Sequence, residues 1–294
     1  MDIALKFGNR QSRIITVILL LIISFANLSN FSPVFSQDLG KNNSTCNCVV
    51  FRFDDIQDRF LNKSQLAVMD LFLHKNQTLS LALISNHLGN DSSIINKVRS
   101  GYETGNLELD SHGWNHENFT KLDGRAQLEL LREANQKIYE LFGTRPVVFI
   151  PPSFDFDNST LQAMTKTDMR IISSYTRFYD QRNESFLITS LNNSDAGRSD
   201  KIVHLPSTLE YSFFENMKWI ERPTSDVLDD IDRSISKYGY AVVNTHPQEF
   251  ANLQDGNIIN SVNMTKINNL AHLLDSLASS KIKITDFYTL SKIL

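Results

Sequence analysis

The chain has 294 residues and a formal charge of −4, with 29 Lys and Arg against 33 Asp and Glu. It contains no basic block, which excludes the clustered cationic surface that a nucleic-acid backbone needs. A hydrophobic content of 41% supports a large core, and a single barrel of about 250 residues accommodates the length.

At the N-terminus, Lys6, Arg10 and Arg13 precede an apolar run from Ile14 to Ile23, and small and polar residues follow. That order reads as a secretory signal over residues 1–36, or as a membrane anchor if it stays uncleaved. Loss of this segment removes Lys6, Arg10, Arg13 and Asp2 and leaves a more acidic chain. Residues 37–46 read as a polar linker and 47–294 as the folded domain. The expected location is secreted or on the outer face of the cell envelope, with membrane contact only through the first segment. Asn-x-Ser/Thr sequons begin at Asn27, Asn30, Asn42, Asn43, Asn62, Asn76, Asn90, Asn118, Asn158, Asn183, Asn192 and Asn263. Composition alone predicts about four, so the excess points to an exported glycoprotein. Cys46 and Cys48 lie two apart, where a bridge within a strand is strained, and their redox state is left open.

Beyond the linker, short apolar runs alternate with helical patterns. Strands are expected at Cys48–Phe53, Thr78–Ile84, Asn106–Asp110, Val147–Ile150, Arg170–Ser174, Ile202–Leu205, Tyr240–Thr245 and Lys281–Thr285. Helices are expected at Ser64–His74 (capped by Asn62 or Ser64), Ser92–Ser100, Asp123–Leu141, Thr160–Thr167, Ser225–Tyr238 and Thr265–Ser279. Residues 175–200 read as a long loop. Alternation of this kind builds parallel βαβ units, and seven or eight of them make a distorted TIM-like barrel.

The unusual residues fall at strand ends, where such barrels collect their chemistry. Asp54 and Asp55 close the first strand, and alternation sends neighbouring carboxylates in different directions. His112 and His116, four apart on a helical turn after the third strand, can converge on one ion. The two histidines and one of the adjacent carboxylates then form a metal triad with open positions for water and substrate. Zinc is the default metal, and cobalt, manganese or nickel suit the same donors. His246 follows the strand beginning at Tyr240. Pro151 and Pro152 end the fourth strand, which brings the Ser153 backbone N–H forward as an oxyanion donor. Trp114, Phe154, Tyr175 and Trp219 are candidates for stacking on sugar faces. His204 is ambiguous, and His74, His87 and His272 read as structural or exposed.

These motifs resemble the NodB-like polysaccharide deacetylase domain of carbohydrate esterase family four, over about residues 48–290. The resemblance implies that Asp54 is the catalytic base and Asp55, His112 and His116 the metal ligands. It also implies His246 as general acid and an acetylated polysaccharide or surface glycan as partner. The chain departs from the family pattern in three places. Ile150 stands where the family has an Arg before its Pro, with Arg145 out of register. Ile171-Ile172-Ser173-Ser174 lacks the family's Asp-Trp segment. Asn244 replaces the Leu that shapes the acetyl pocket, which would admit a more polar acyl group. The partners that orient Asp54 and His246 in the family are therefore expected to be missing, as in a divergent branch. The implied activity is metal-dependent removal of N- or O-acetyl groups. The alternative is a catalytically silent glycan- or surface-binding module that keeps a structural metal.

Overall fold

The computed structural model describes residues 46–175, 187–188, 202–216 and 218–294. The signal or anchor at 1–36, all of the linker except Cys46 and most of the 175–200 loop lie outside the described residues. Strand β1 (Cys48–Ile56) is central and buried along nearly its whole length. Its alternating residues serve two cores, as the period of two requires. Val49, Phe51 and Phe53 join the outer core beneath the helices. Cys48 and Val50 join the inner one, so Arg52 and Asp54 continue that row toward the carboxyl end of the barrel.

On one side of β1 the sheet runs through β2 (Leu79–Leu83), β3 (Leu107–Ser111), β4 (Val148–Phe149), β5 (Ile171–Ile172) and β7 (Ile202–His204). On the other side lie β11 (Ala241–Thr245) and β8 (Leu209–Glu210). All of these pair in parallel. β6 (Leu187–Ile188) is antiparallel to β7, and β14 (Lys283–Thr285) pairs with the start of β1. The segment after β7 closes the curl: Ser207 N donates to Ser174 O (2.8 Å) and Thr208 N to Val242 O (3.0 Å). The expected distorted TIM-like barrel is therefore the architecture.

Helices α1 (Asn62–His74), α2 (Ser92–Glu103), α3 (Gly124–Phe142), α4 (Asn158–Lys166), α5 (Thr224–Tyr238), α6 (Met264–Ser279) and α7 (Phe287–Ile293) complete the domain. Asp123 caps α3 by accepting from the Arg125 and Ala126 N–H groups, and Gly143 ends it at φ 75°. The cap expected for α1 is absent. Asn62 and Ser64 both lie inside the helix, Leu61 precedes it at φ 49° without a side-chain cap, and the Asn62 amide donates to Asp91. Sequence patterning also missed α7 and two hairpins. These are β9 (Ser212–Glu215) with β10 (Lys218–Glu221), and β12 (Ala251–Gln254) with β13 (Asn257–Val262). Among the described residues no helix is long and apolar enough to cross a membrane.

Cys46 and Cys48 are joined in a disulfide, with Cα atoms 5.1 Å apart. The strain expected for a bridge within a strand does not apply. Asn47 takes a left-handed conformation (φ 44°) and turns the chain just before β1 begins.

One glycine is set by packing. A Cβ on Gly101 of α2 would lie 2.2 Å from Leu107 Cδ1 and 2.4 Å from its Cγ. Leu107 is buried in β3 and has little room to yield. Gly101→Ala is expected to destabilise the domain by about 1–3 kcal/mol, read as a lowered Tm in thermal denaturation. An unchanged Tm would mean that α2 slides freely over β3.

Candidate active site

Asp54 and Asp55 do not sit on a plain extended strand. Pairing of β1 with β2 shifts register between Phe53 and Ile56, and Asp55 adopts φ 64°. Such a bulge re-aims side chains, and Asp tolerates the left-handed region better than most residues. Asp54 stays in the barrel interior, 2% exposed, while Asp55 turns to the rim.

His112 and His116 converge, though not on a helical turn as expected. The chain from His112 to Asn118 is irregular, with positive φ at Gly113 (79°) and His116 (67°). Glycine is needed at the first of these for a second reason: a Cβ there would meet the Phe119 ring at 3.3 Å. Nδ1 of His112 bonds to the Ile150 carbonyl at 2.7 Å. The carbonyl only accepts, so Nδ1 carries a proton and Nε2 is the nitrogen turned toward Asp55. That Nε2 lies 3.5 Å from Asp55 Oδ1, and His116 Nε2 lies 3.3 Å from the same oxygen. The other oxygen, Oδ2, accepts from the Gln248 amide at 3.3 Å.

One ligand atom from each of Asp55, His112 and His116 lies within 4.8 Å of the others. Two imidazole nitrogens and one carboxylate oxygen at this spacing suit a divalent cation with open positions. The protonation states agree. Burial and then His112 hold the His116 pKa down against the pull of Asp55, which favours a neutral, ligating imidazole. Burial alone would raise Asp55, but hydrogen bonding and the charges of the surrounding histidines hold it below the usual carboxylate range.

The partners expected to be missing are present in other places. Arg52, fully buried two residues before Asp54, grips it with both arms: Nε to Oδ1 at 2.8 Å and Nη2 to Oδ2 at 2.5 Å. Its remaining nitrogen, Nη1, donates to the Ser173 carbonyl (3.0 Å) and hydroxyl (3.2 Å). The Phe154 ring lies 5.1 Å from the guanidinium carbon. Burial pushes the Asp54 pKa up, but Arg52, with help from His112 and His246, brings it below the ordinary value.

His246 is served likewise. Glu249 Oε1 accepts from the His246 backbone N–H at 2.6 Å and lies 3.2 Å from its Nδ1. Burial disfavours the imidazolium, yet Glu249, then Asp54 and Asp55, leave the His246 pKa raised. The sequence carried both signals. Arg52 shares the strand face of Asp54, and Glu249 follows His246 at the three-residue spacing of a reciprocal cap.

The other candidates are dispersed. Pro151 and Pro152 are buried, and Pro152 Cγ would lie 3.7 Å from a Cβ on Gly113, so the proline turn backs the histidine loop. Ser153 is exposed at φ 60° in the short helical turn that follows. Asn244 is 2% exposed, level with Arg52 across the β1–β11 pairing, and its Oδ1 has no partner among the described residues. Trp114 lines a groove with Arg132, Glu133 and Gln136 of α3. Phe154 and Tyr175 pack against each other at 5.5 Å. Trp219 lies against the His246 ring at 4.8 Å. His204 is buried, bonds to the Ser174 hydroxyl at 2.8 Å, and is pulled down to about 3 by burial. It is a neutral core histidine and does not line the rim.

Residues 41–172 match the family profile described as polysaccharide deacetylase. A curated relative, peptidoglycan-N-acetylmuramic acid deacetylase PdaC of Bacillus subtilis, is 22% identical over 151 residues. That alignment covers 51% of this chain but only 28% of the relative. Among solved structures, a putative polysaccharide deacetylase from Mycobacterium smegmatis aligns with a TM-score of 0.59 at 14% identity, covering 86% of this chain and 91% of that one. BA3943, a family-four pseudoenzyme from Bacillus anthracis, aligns at 0.51 and 12% identity, covering 83% and 65%. At these identities the structural likenesses speak for the fold alone, and the profile match spans β1 through β5 with the Asp54-Asp55 and His112/His116 motifs. Residues 41–172, which carry these motifs, are similar to the polysaccharide deacetylase family.

Proposed function

We propose that this protein is a metal-dependent hydrolase that removes N- or O-acetyl groups from an extracellular polysaccharide or surface glycan. The observation that carries the reading is the pair of buried clamps, Arg52 on Asp54 and Glu249 on His246. Neither Asp54 nor His246 is needed to hold a cation, so a purely structural metal gives no reason to orient them. The same clamps weigh against the silent-module alternative, whose main support was the expected loss of these partners.

A divalent cation on Asp55, His112 and His116 would polarise the acyl carbonyl and acidify a water molecule. Zinc is the default, and cobalt, manganese and nickel suit the same donors. Asp54 takes the proton of the attacking water as its oxygen bonds to the carbonyl carbon. His246 gives a proton to the departing nitrogen as the C–N bond breaks, leaving acetate and a free amine. With an O-acetyl substrate the same proton goes to the departing oxygen. The Ser153 backbone N–H is the proposed second donor to the developing oxyanion, with Pro151 and Pro152 fixing its turn. The likeness to a peptidoglycan deacetylase supports an amide-linked acetyl group. Asn244 Oδ1, which has no partner among the described residues, supports tolerance of a polar acyl group.

The N-terminal segment supports export, with the protein either released or anchored. Among the described sequons Asn76, Asn90 and Asn158 are exposed and suited to glycosylation. Asn62, Asn118 and Asn263 are half-buried.

Acetate release from N-acetylated oligosaccharides tests the reading. Release is expected to stop when the cation is chelated and to return when zinc or cobalt is restored. Release insensitive to chelation sinks the mechanism. Cation and glycan binding without any acetate establishes the silent module.

A further inference from the structure

Hairpin β9–β10 stands apart from the barrel as its own two-stranded sheet. Its register sets Phe214 opposite Trp219 and Phe213 opposite Ile220, so the two pairs occupy opposite faces. The Phe213 face is tied to the barrel through Arg222, while Phe213 and Ile220 themselves stay 45% exposed. The Arg222 guanidinium lies 4.6 Å from the Phe213 ring centre, and Arg222 also donates to the Glu210 carbonyl at 2.7 Å and pairs with Asp230. The opposite face turns to the reaction site. Trp219 lies 4.8 Å from the His246 ring, and Phe214 lies 5.0 Å from Trp219. Phe214 is nonetheless 50% exposed. A large aromatic surface left open beside a protonating histidine is accounted for by something that covers it during turnover.

We infer that the Phe214–Trp219 face is a sugar platform that binds the pyranose ring carrying the departing amine or hydroxyl. The inference rests on the hydrolase reading for the identity of the occupant. What lies next to His246 is the group that receives its proton, which is the sugar and not the acyl fragment. Pyranose rings with equatorial substituents present one apolar face of C–H bonds rimmed by hydroxyls, and that face lies flat on aromatic rings. The platform continues directly into the site through the Trp219–His246 contact, so sugar and proton donor are placed by the same hairpin.

The test compares Phe214→Ala, Trp219→Ala and Trp219→Phe with the parent holoprotein. The substrates are an N-acetylglucosamine tetramer and trifluoroethyl acetate, a small ester with neither sugar nor aromatic ring. The rise in KM for the tetramer is expected to exceed that for the ester about tenfold in the two alanine variants. Trp219→Phe should recover most of it. Equal losses on both substrates mean that Trp219 only steadies His246, and the platform is overturned. Binding separates this failure from failure of the hydrolase reading. Calorimetric titration of the tetramer, and of an acetylated xylose tetramer, into the holoproteins is expected to show about tenfold weaker affinity for Phe214→Ala. Unchanged affinity, or no binding of either sugar by the parent, overturns the platform. Intact, Phe214-dependent binding without acetate release keeps the platform and rejects the hydrolase.

Discussion

Asp54→Asn is expected to lower acetate release by about 10²- to 10⁴-fold while leaving cation affinity in place. Asp54 is absent from the Asp55, His112 and His116 cluster, and both its oxygens are taken by Arg52. Asparagine keeps the shape and one acceptor for Arg52 but cannot carry away the proton of an attacking water. Calorimetric zinc titration and acetate assays on the same preparation separate the two properties. Loss of zinc binding in Asp54→Asn would make Asp54 a ligand, and retained turnover would remove it as base. Either outcome rejects the division of labour between the two adjacent carboxylates. The variant should also remain folded, because Arg52 keeps its bonds to Ser173 and feels a second interior carboxyl. Asp110 is fully buried, both its oxygens lack a partner among the described residues, and burial holds its pKa well above the ordinary value. The positive charge left over by Asp54→Asn favours ionising it.

The barrel was legible because its strands are apolar runs separated by well-capped helices such as α3. The convergence of Asp55, His112 and His116 was legible because strand ends gather chemistry wherever the sheet is parallel. What stayed hidden depends on pairings distant in sequence or on single backbone conformations. Arg52 between Phe51 and Phe53 looks like an interruption of a buried strand until its parity with Asp54 is followed. The bulge that turns Asp55 outward and the irregular path from His112 to His116 need left-handed residues that no periodicity announces. Asn47 does the same for the disulfide. Hairpin β9–β10 escaped because Phe213 and Phe214 lie side by side and break the alternation by which an exposed strand is recognised. Its placement beside the site is set by tertiary contacts of Arg222.

Arg52→Met is expected to cost about 3–5 kcal/mol at neutral pH, because it leaves Asp54 charged and buried without its counter-ion. A domain of this size should lose on the order of 10 °C in Tm. The pH dependence is the sharper signature, measured with chelator present so that no cation contributes to the field. In the parent the folded Asp54 titrates below its unfolded value. Its contribution is therefore complete above the unfolded carboxyl pKa of about 4 and lost as the solution is acidified. Without Arg52, burial becomes the dominant influence and the folded pKa moves above the unfolded one. The sign then reverses: the variant is penalised as pH rises past about 4, and the penalty grows until the folded carboxyl ionises. The stability gap between parent and variant should thus widen from pH 4 to pH 8. Arg52→Lys should close part of it, since an ammonium restores the charge but not the two-armed grip. A gap independent of pH would mean that Arg52 acts by filling space, and the clamp on Asp54 would have to be abandoned.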